Sequence, residues 1–153
     1  MGSWGDVVRA QPDFAQRVRQ TFAVRKHATL ATLRRDGSPR ISGTEVDFDD
    51  RAGEVYLGVM PGSVKAADLG RDPRVALHCP TDDPPVRDPG TCLGDGKLAG
   101  TAVDVSQPRA DDGGRRFRID IAEVVLTFLG TPADHLVVQA WHPGRGLEVT
   151  FRR

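Results

Sequence analysis

Cysteine is scarce in this chain. Cys79 and Cys92 are too few for a disulfide scaffold. They could pair with each other, but a reducing compartment keeps such thiols free. Long apolar runs are also missing. None approaches the ~20 residues needed to span a bilayer, so no membrane partner is expected. The opening stretch MGSWGDVVRAQPDF lacks the apolar segment of a secretory signal, and the expectation is a cytoplasmic protein. Nor is there an excess of charge of either sign. Lys plus Arg number 21 and Asp plus Glu number 21, which argues against a strongly basic nucleic-acid binder. The four histidines, His27, His78, His135 and His142, show no HxxxH spacing and the cysteines no CxxC, so a metal site is not expected. GxSxG, HExxH, P-loop and post-strand GxGxxG patterns are all missing. Nothing assembles a self-sufficient enzyme, and any redox or transfer chemistry would be a cofactor's.

What is present suits one globular domain over residues 1–153, with 39% hydrophobic and 27% charged residues. A helical segment is expected over about 12–25, where Phe14, Val18 and Phe22 recur at helical spacing behind Pro12 and Asp13. Its apolar stripe should cover a sheet or a partner. The period then becomes strand-like. HATLATLR from His27, RISGTEVDF from Arg40 and EVYLGVM from Glu54 are separated by tight turns, and read as an antiparallel meander. Ser63 can cap a short helix running to about Leu69. Further strands are expected at Arg74–His78, Lys97–Ser106, Phe117–Leu129, His135–His142 and Leu147–Arg153. The Phe117–Leu129 run is long enough to require a bend or bulge. The Pro- and Asp-rich stretch of about 80–96 reads as a long surface loop. The result is a mainly β chain with minor helices and six to eight antiparallel strands. A closed or nearly closed barrel removes the edges best, and a β-sandwich is the alternative.

Two places could hold an anion. In Pro39-Arg40-Ile41-Ser42 an arginine opens a strand straight after a turn. Gly62-Ser63-Val64-Lys65 offers helix-start N–H groups, a hydroxyl and a lysine one turn in. Read singly, Ser63 is a cap, Lys65 a solvated charge and Arg40 a strand-end arginine; the pair across two elements is more suggestive. The carboxylate pairs Asp82-Asp83 and Asp111-Asp112 read as solvated loop charge. His27 and His78 fall in strand patterns, where a satisfied, half-buried histidine is the ordinary occurrence.

The order of "ATLATLRRDGSPRIS", "GEVYLGVMPGSVKAADLGRDPRVALH" and "QAWHPGRGLEVTFRR" resembles the pyridoxamine 5′-phosphate oxidase-like superfamily of flavin- and deazaflavin-dependent split-barrel oxidoreductases, over roughly residues 12–153. The resemblance implies a split β-barrel homodimer with cofactors at the dimer interface. It implies FMN as cofactor, or alternatively the 8-hydroxy-5-deazaflavin coenzyme, with hydride passing to or from a small organic substrate. Carried over residue by residue, it assigns Arg40, Ile41 and Ser42 to the strand along the cofactor. Ser63 and Lys65 fall on the phosphate, Val59, Met60, Pro61 and Gly62 on the groove beside the ring, and Trp141 and Arg145 on a late contribution. A deazaflavin tail would need a further basic track, for which Arg71, Arg74 and Arg87 are the candidates. Tyr56, His78 and His142 are proton donors by type. Related split barrels bind haem, or hold flavin without catalysis, and a haem reading would need an exposed histidine. The chain lacks the Arg-x-His substrate motif of the oxidase proper, which argues against pyridoxal 5′-phosphate synthesis.

Overall fold

The computed structural model describes residues 1–107 and 113–153. Asp111 and Asp112, read above as loop carboxylates, lie outside the described residues. Two helices lead. Helix α1 (Trp4–Ala10) is closed at its start by a capping box, in which Ser3 and Asp6 each bond the other's backbone. Helix α2 (Pro12–Phe22) begins one residue later with proline in its first turn. The sequence reading gave no helix to residues 4–10 and ran the second helix to 25. In the fold, Ala23 caps α2 three residues earlier. The Phe14, Val18 and Phe22 stripe is buried against the chain's own barrel together with Trp4 and Val7. It is therefore not available to a partner. Trp4 meets Phe48 edge-on at 4.8 Å between ring centroids.

Eight antiparallel strands follow among the described residues: β1 (Ala28–Leu33), β2 (Pro39–Asp49), β3 (Glu54–Val59), β4 (Arg74–His78), β5 (Asp95–Asp104), β6 (Arg115–Leu129), β7 (Leu136–His142) and β8 (Gly146–Arg152). A third helix, α3 (Val64–Arg71), lies between β3 and β4. The strand order is β3-β2-β1-β4-β5-β6-β7-β8, and β6 also pairs with β3. That last pairing closes the first six into a barrel, and β7 and β8 extend the wall beyond it. The β-sandwich alternative is thereby excluded.

The turn between β1 and β2 follows its chemistry. Gly37 sits at φ +83°, and Asp36 accepts from the Ser38 N–H at 3.0 Å. The bend expected in the longest strand is a bulge: Ala99 pairs Glu123 while Gly100 pairs Ile121, leaving Ala122 as the extra residue of β6. The 80–96 loop ends two residues before its expected limit. The Cys79 N–H donates to the Gly96 carbonyl at 2.9 Å and the Gly96 N–H to Cys79 Sγ at 3.2 Å, drawing Asp95 and Gly96 into β5. The rest of the loop folds against the end of α2. There Thr21, Val24, Pro80, Cys92 and Leu93 line a cavity of about 270 Å³. Cys79 and Cys92 are both free thiols, and burial pushes the Cys79 thiol above its ordinary pKa.

Candidate cofactor groove

Helix α3 is built from its N-terminus. Gly62, at φ +69°, allows the chain to double back after Met60-Pro61. Ser63 then caps the helix, its Oγ accepting from the Ala66 N–H at 3.3 Å. One turn further on is Asp68, whose side chain is 3% exposed. Its carboxylate takes the Thr32 hydroxyl from β1 at 2.9 Å, Arg40 Nε from β2 at 2.6 Å and Arg71 Nη2 from its own helix at 2.8 Å. Burial pushes the Asp68 pKa up, but the hydrogen bonds from Arg40, Arg71 and Thr32 outweigh it and hold the group below its ordinary value. It is an anion shared by two cations. Arg71 also donates to the Leu33 carbonyl at 3.0 Å.

Beside α3, the outer side of β2 and β3 forms an open groove of about 1110 Å³. Its lining includes His27, Gly43, Glu45, Asp47, Tyr56, Gly58, Met60, Pro61, Lys65, Arg115 and Arg116. Two strand glycines are exposed in this lining, and a Cβ built on Gly43 or Gly58 would meet nothing within 4 Å. Bare backbone of this kind lets a flat ligand approach closely. Most of the lining cations are already neutralised. Arg116 reaches Asp47 at 3.3 Å and lies 3.8 Å over the Tyr56 ring. Arg115 pairs with Asp104, and this bond, helped by Ser106, pulls the Asp104 pKa down to about 2. His27 Nε2 stands 3.7 Å from Glu45, which also holds Lys26 at 3.2 Å. Lys65 differs. Its Nζ donates to the Gly43 carbonyl at 2.6 Å, and it makes no ion pair among the described residues. Among those residues nothing compensates its charge at the rim.

The residues singled out from the sequence divide. Val59, Met60, Pro61 and Lys65 line the groove, and Gly62 and Ser63 form the turn and cap that place Lys65. The run Arg40-Ile41-Ser42 does not act as one surface, because a strand turns successive side chains to opposite faces. Ile41 is 74% exposed on the outer face of β2. Arg40 and Ser42 are half-buried on the other face, and Arg40 is engaged by Asp68 rather than lining the groove. Trp141 is a core residue of β7, 4% exposed, and packs with the barrel interior rather than lining the groove. Arg145 sits in the β7–β8 turn, its N–H donating to the His142 carbonyl at 3.2 Å, and does not reach the groove. None of Arg71, Arg74 and Arg87 lines it either. Arg74 instead forks onto Asp72, lowering that carboxyl to about 2.

Of the three proton-donor types, Tyr56 alone lies in the groove. His78 Nδ1 faces the Cys79 carbonyl at 2.7 Å, and His142 Nε2 is 3.0 Å from Glu123. Gly43, Gly58, Arg115 and Arg116 were missed as site residues. A glycine inside each strand pattern was the signal that could have found the first two.

No protein-family model matches this sequence, and no curated protein does. Solved structures match in fold. A pyridoxamine 5′-phosphate oxidase-related, FMN-binding protein from Nostoc punctiforme superposes with a TM-score of 0.64 at 10% identity, over 94% of this chain and 96% of that one. PhzG from Burkholderia lata, solved with tetrahydrophenazine-1-carboxylic acid, gives 0.64 at 13% identity, over 97% and 92%. A haem-binding protein from Mycobacterium smegmatis gives 0.51 at 15% identity, over 89% and 86%. The chain has a split-barrel fold resembling that of these proteins.

Proposed function

We propose that this protein is an FMN-dependent oxidoreductase whose groove, outside β2 and β3, holds the cofactor. The observation that carries the reading is Lys65. It is a lining cation with no carboxylate partner among the described residues, at the start of a capped helix whose N–H groups and dipole favour an anion. The bare Gly43 and Gly58 backbone provides a floor for a planar ring, and Met60 and Pro61 an apolar wall. Lys65 and the α3 N-terminus hold the phosphate, and Tyr56, under Arg116, is the groove's candidate proton donor. Bound FMN would supply the hydride chemistry that these side chains lack.

A second copy of the chain completes the site in this reading. The groove is open, and Ile41, Met60 and Val64 beside it are large apolar residues left exposed. Sedimentation should therefore show a dimer at micromolar concentration, and a stable monomer would count against a shared site. The deazaflavin alternative stands behind FMN because the arginines expected to carry its longer anionic tail lie elsewhere. Haem is the second reading, supported by His27, the one histidine among the groove's lining residues.

The test is an absorption titration of the purified protein with FMN, the deazaflavin coenzyme and haem. FMN should bind, and Lys65→Ala should weaken it by about 1–3 kcal/mol, the size of a charge-assisted hydrogen bond. Equal FMN affinity in wild type and Lys65→Ala would sink the phosphate assignment. A Soret band lost in His27→Ala would move the reading to haem.

A further inference from the structure

We infer that Asp68 is the positioning residue of the phosphate seat, an inference that rests on the reading just given. Its carboxylate clamps α3 to β1 and β2, and so fixes where Lys65 stands. Burying a carboxylate is costly, and the structure keeps this one only by bringing donors from three elements onto it: Thr32 from β1, Arg40 from β2 and Arg71 from α3. Lys65 lies three residues before Asp68, one helical turn toward the N-terminus and on the same side of α3. Both residues touch β2, Lys65 at the Gly43 carbonyl and Asp68 at Arg40. The helix is thus pinned to one strand at two points, an ion pair buried on the Asp68 side and a lysine-to-carbonyl bond at the rim. The second bond is the one an arriving phosphate would compete for. The first is what would keep the helix mouth in place when that happens.

The clamp also orients Arg40. Asp68 engages its Nε, and its terminal nitrogens make no hydrogen bond among the described residues, while the side chain is 26% exposed. A guanidinium held by Nε presents its remaining donors in a fixed direction. One carboxylate facing two arginines leaves the cluster net positive, so the clamp does not cancel the field that attracts an anion.

The sign of a single substitution tests this. Asp68→Asn keeps the shape and removes a negative charge. If Asp68 were only a counter-charge, its loss would tighten FMN binding. If it were only a staple for stability, FMN and riboflavin, which lacks the phosphate, would weaken together. A positioning role predicts that the preference for FMN over riboflavin falls by about tenfold, the loss of one charge-assisted bond to the phosphate. Riboflavin affinity should then stay within about twofold, well below one such bond. A preference that is unchanged or increased overturns the inference.

Should Asp68→Asn fail to fold, as judged by circular dichroism, Thr32→Val carries the test. It removes one neutral donor from the clamp and should lower the preference about two- to threefold; an unchanged preference there overturns it equally. A wild-type protein that binds FMN no better than riboflavin would instead remove the phosphate seat itself, and the inference with it.

Discussion

β6 and β2 are the two longest strands, 15 and 11 residues, and they use their faces in opposite ways. On β6 the buried positions are Phe117, Ile119 and Ile121, then Val124 and Leu126. The parity changes from odd to even across Ala122, the bulged residue. The bulge therefore keeps one continuous apolar face turned inward while the strand bends from its pairing with β3 to its pairing with β7. On β2 the alternation runs from Pro39 to Phe48, and Thr44 is its one buried side chain. Its outer face carries Ile41, Gly43, Glu45 and Asp47. Beyond Arg115 and Arg116 at its start, which reach the groove, β6 serves the core and closure. The other leaves backbone and charge facing a groove. A barrel wall can do both because closure needs only the ladder bonds, which are indifferent to the outward residues, whereas core packing needs every inward side chain.

The largest expected break in this comparison is at Gly100, opposite the bulge. A Cβ there would collide with the Asp120 carbonyl. Gly100→Val should lower the unfolding free energy by about 2 kcal/mol or more, read from the denaturant midpoint. An unchanged midpoint would mean that the bulge is soft and the comparison misplaced. At Gly58, on the groove side, the same substitution meets open space. Gly58→Val should leave stability within about 0.5 kcal/mol, because β-branched residues suit strands, yet weaken FMN binding tenfold or more, on the order of one lost close contact. Retained FMN affinity would show that the ring does not lie on that backbone.

The smallest effect concerns pH. In the folded protein Asp104 titrates at about 2 rather than 3.8, because of Arg115 and Ser106. A depressed carboxylate stabilises the fold above its unfolded pKa, and that contribution is lost as pH falls from about 4 toward 2. Asp104→Asn should therefore flatten the acid limb of the stability curve slightly, since the pair is exposed and screened. A steeper limb in the variant would reverse the sign and refute the pairing.

Much of the fold was legible because it is local. The period-3.6 stripe of α2, the Asp-Gly turn before β2, the Ser63 cap and the excess length of β6 each follow from a few neighbouring residues. Helix α1 was less so. Its Ser3-x-x-Asp6 box is a faint signal, and the burial of Trp4 and Val7 that stabilises so short a helix depends on a barrel assembled far along the chain. At the candidate site, contiguity in sequence is not contiguity in space. Arg40, Ile41 and Ser42 are adjacent in sequence, but strand alternation separates them, and that period was already readable in RISGTEVDF. Trp141 was ambiguous for a different reason, since a buried tryptophan and a ligand-stacking one have the same local sequence.

The amino-acid sequence by itself determined the types of the elements other than α1, their antiparallel character and the capped start of α3, because propensities, turn chemistry and hydrophobic period act over a few residues. Only the tertiary structure decided which charges remain free. Arg40 is engaged by Asp68, Arg115 and Arg116 by Asp104 and Asp47, and Lys65 has no ion-pair partner among the described residues. Ion pairing depends on distances of a few ångströms between residues remote in the chain, and those distances exist only once the barrel has closed.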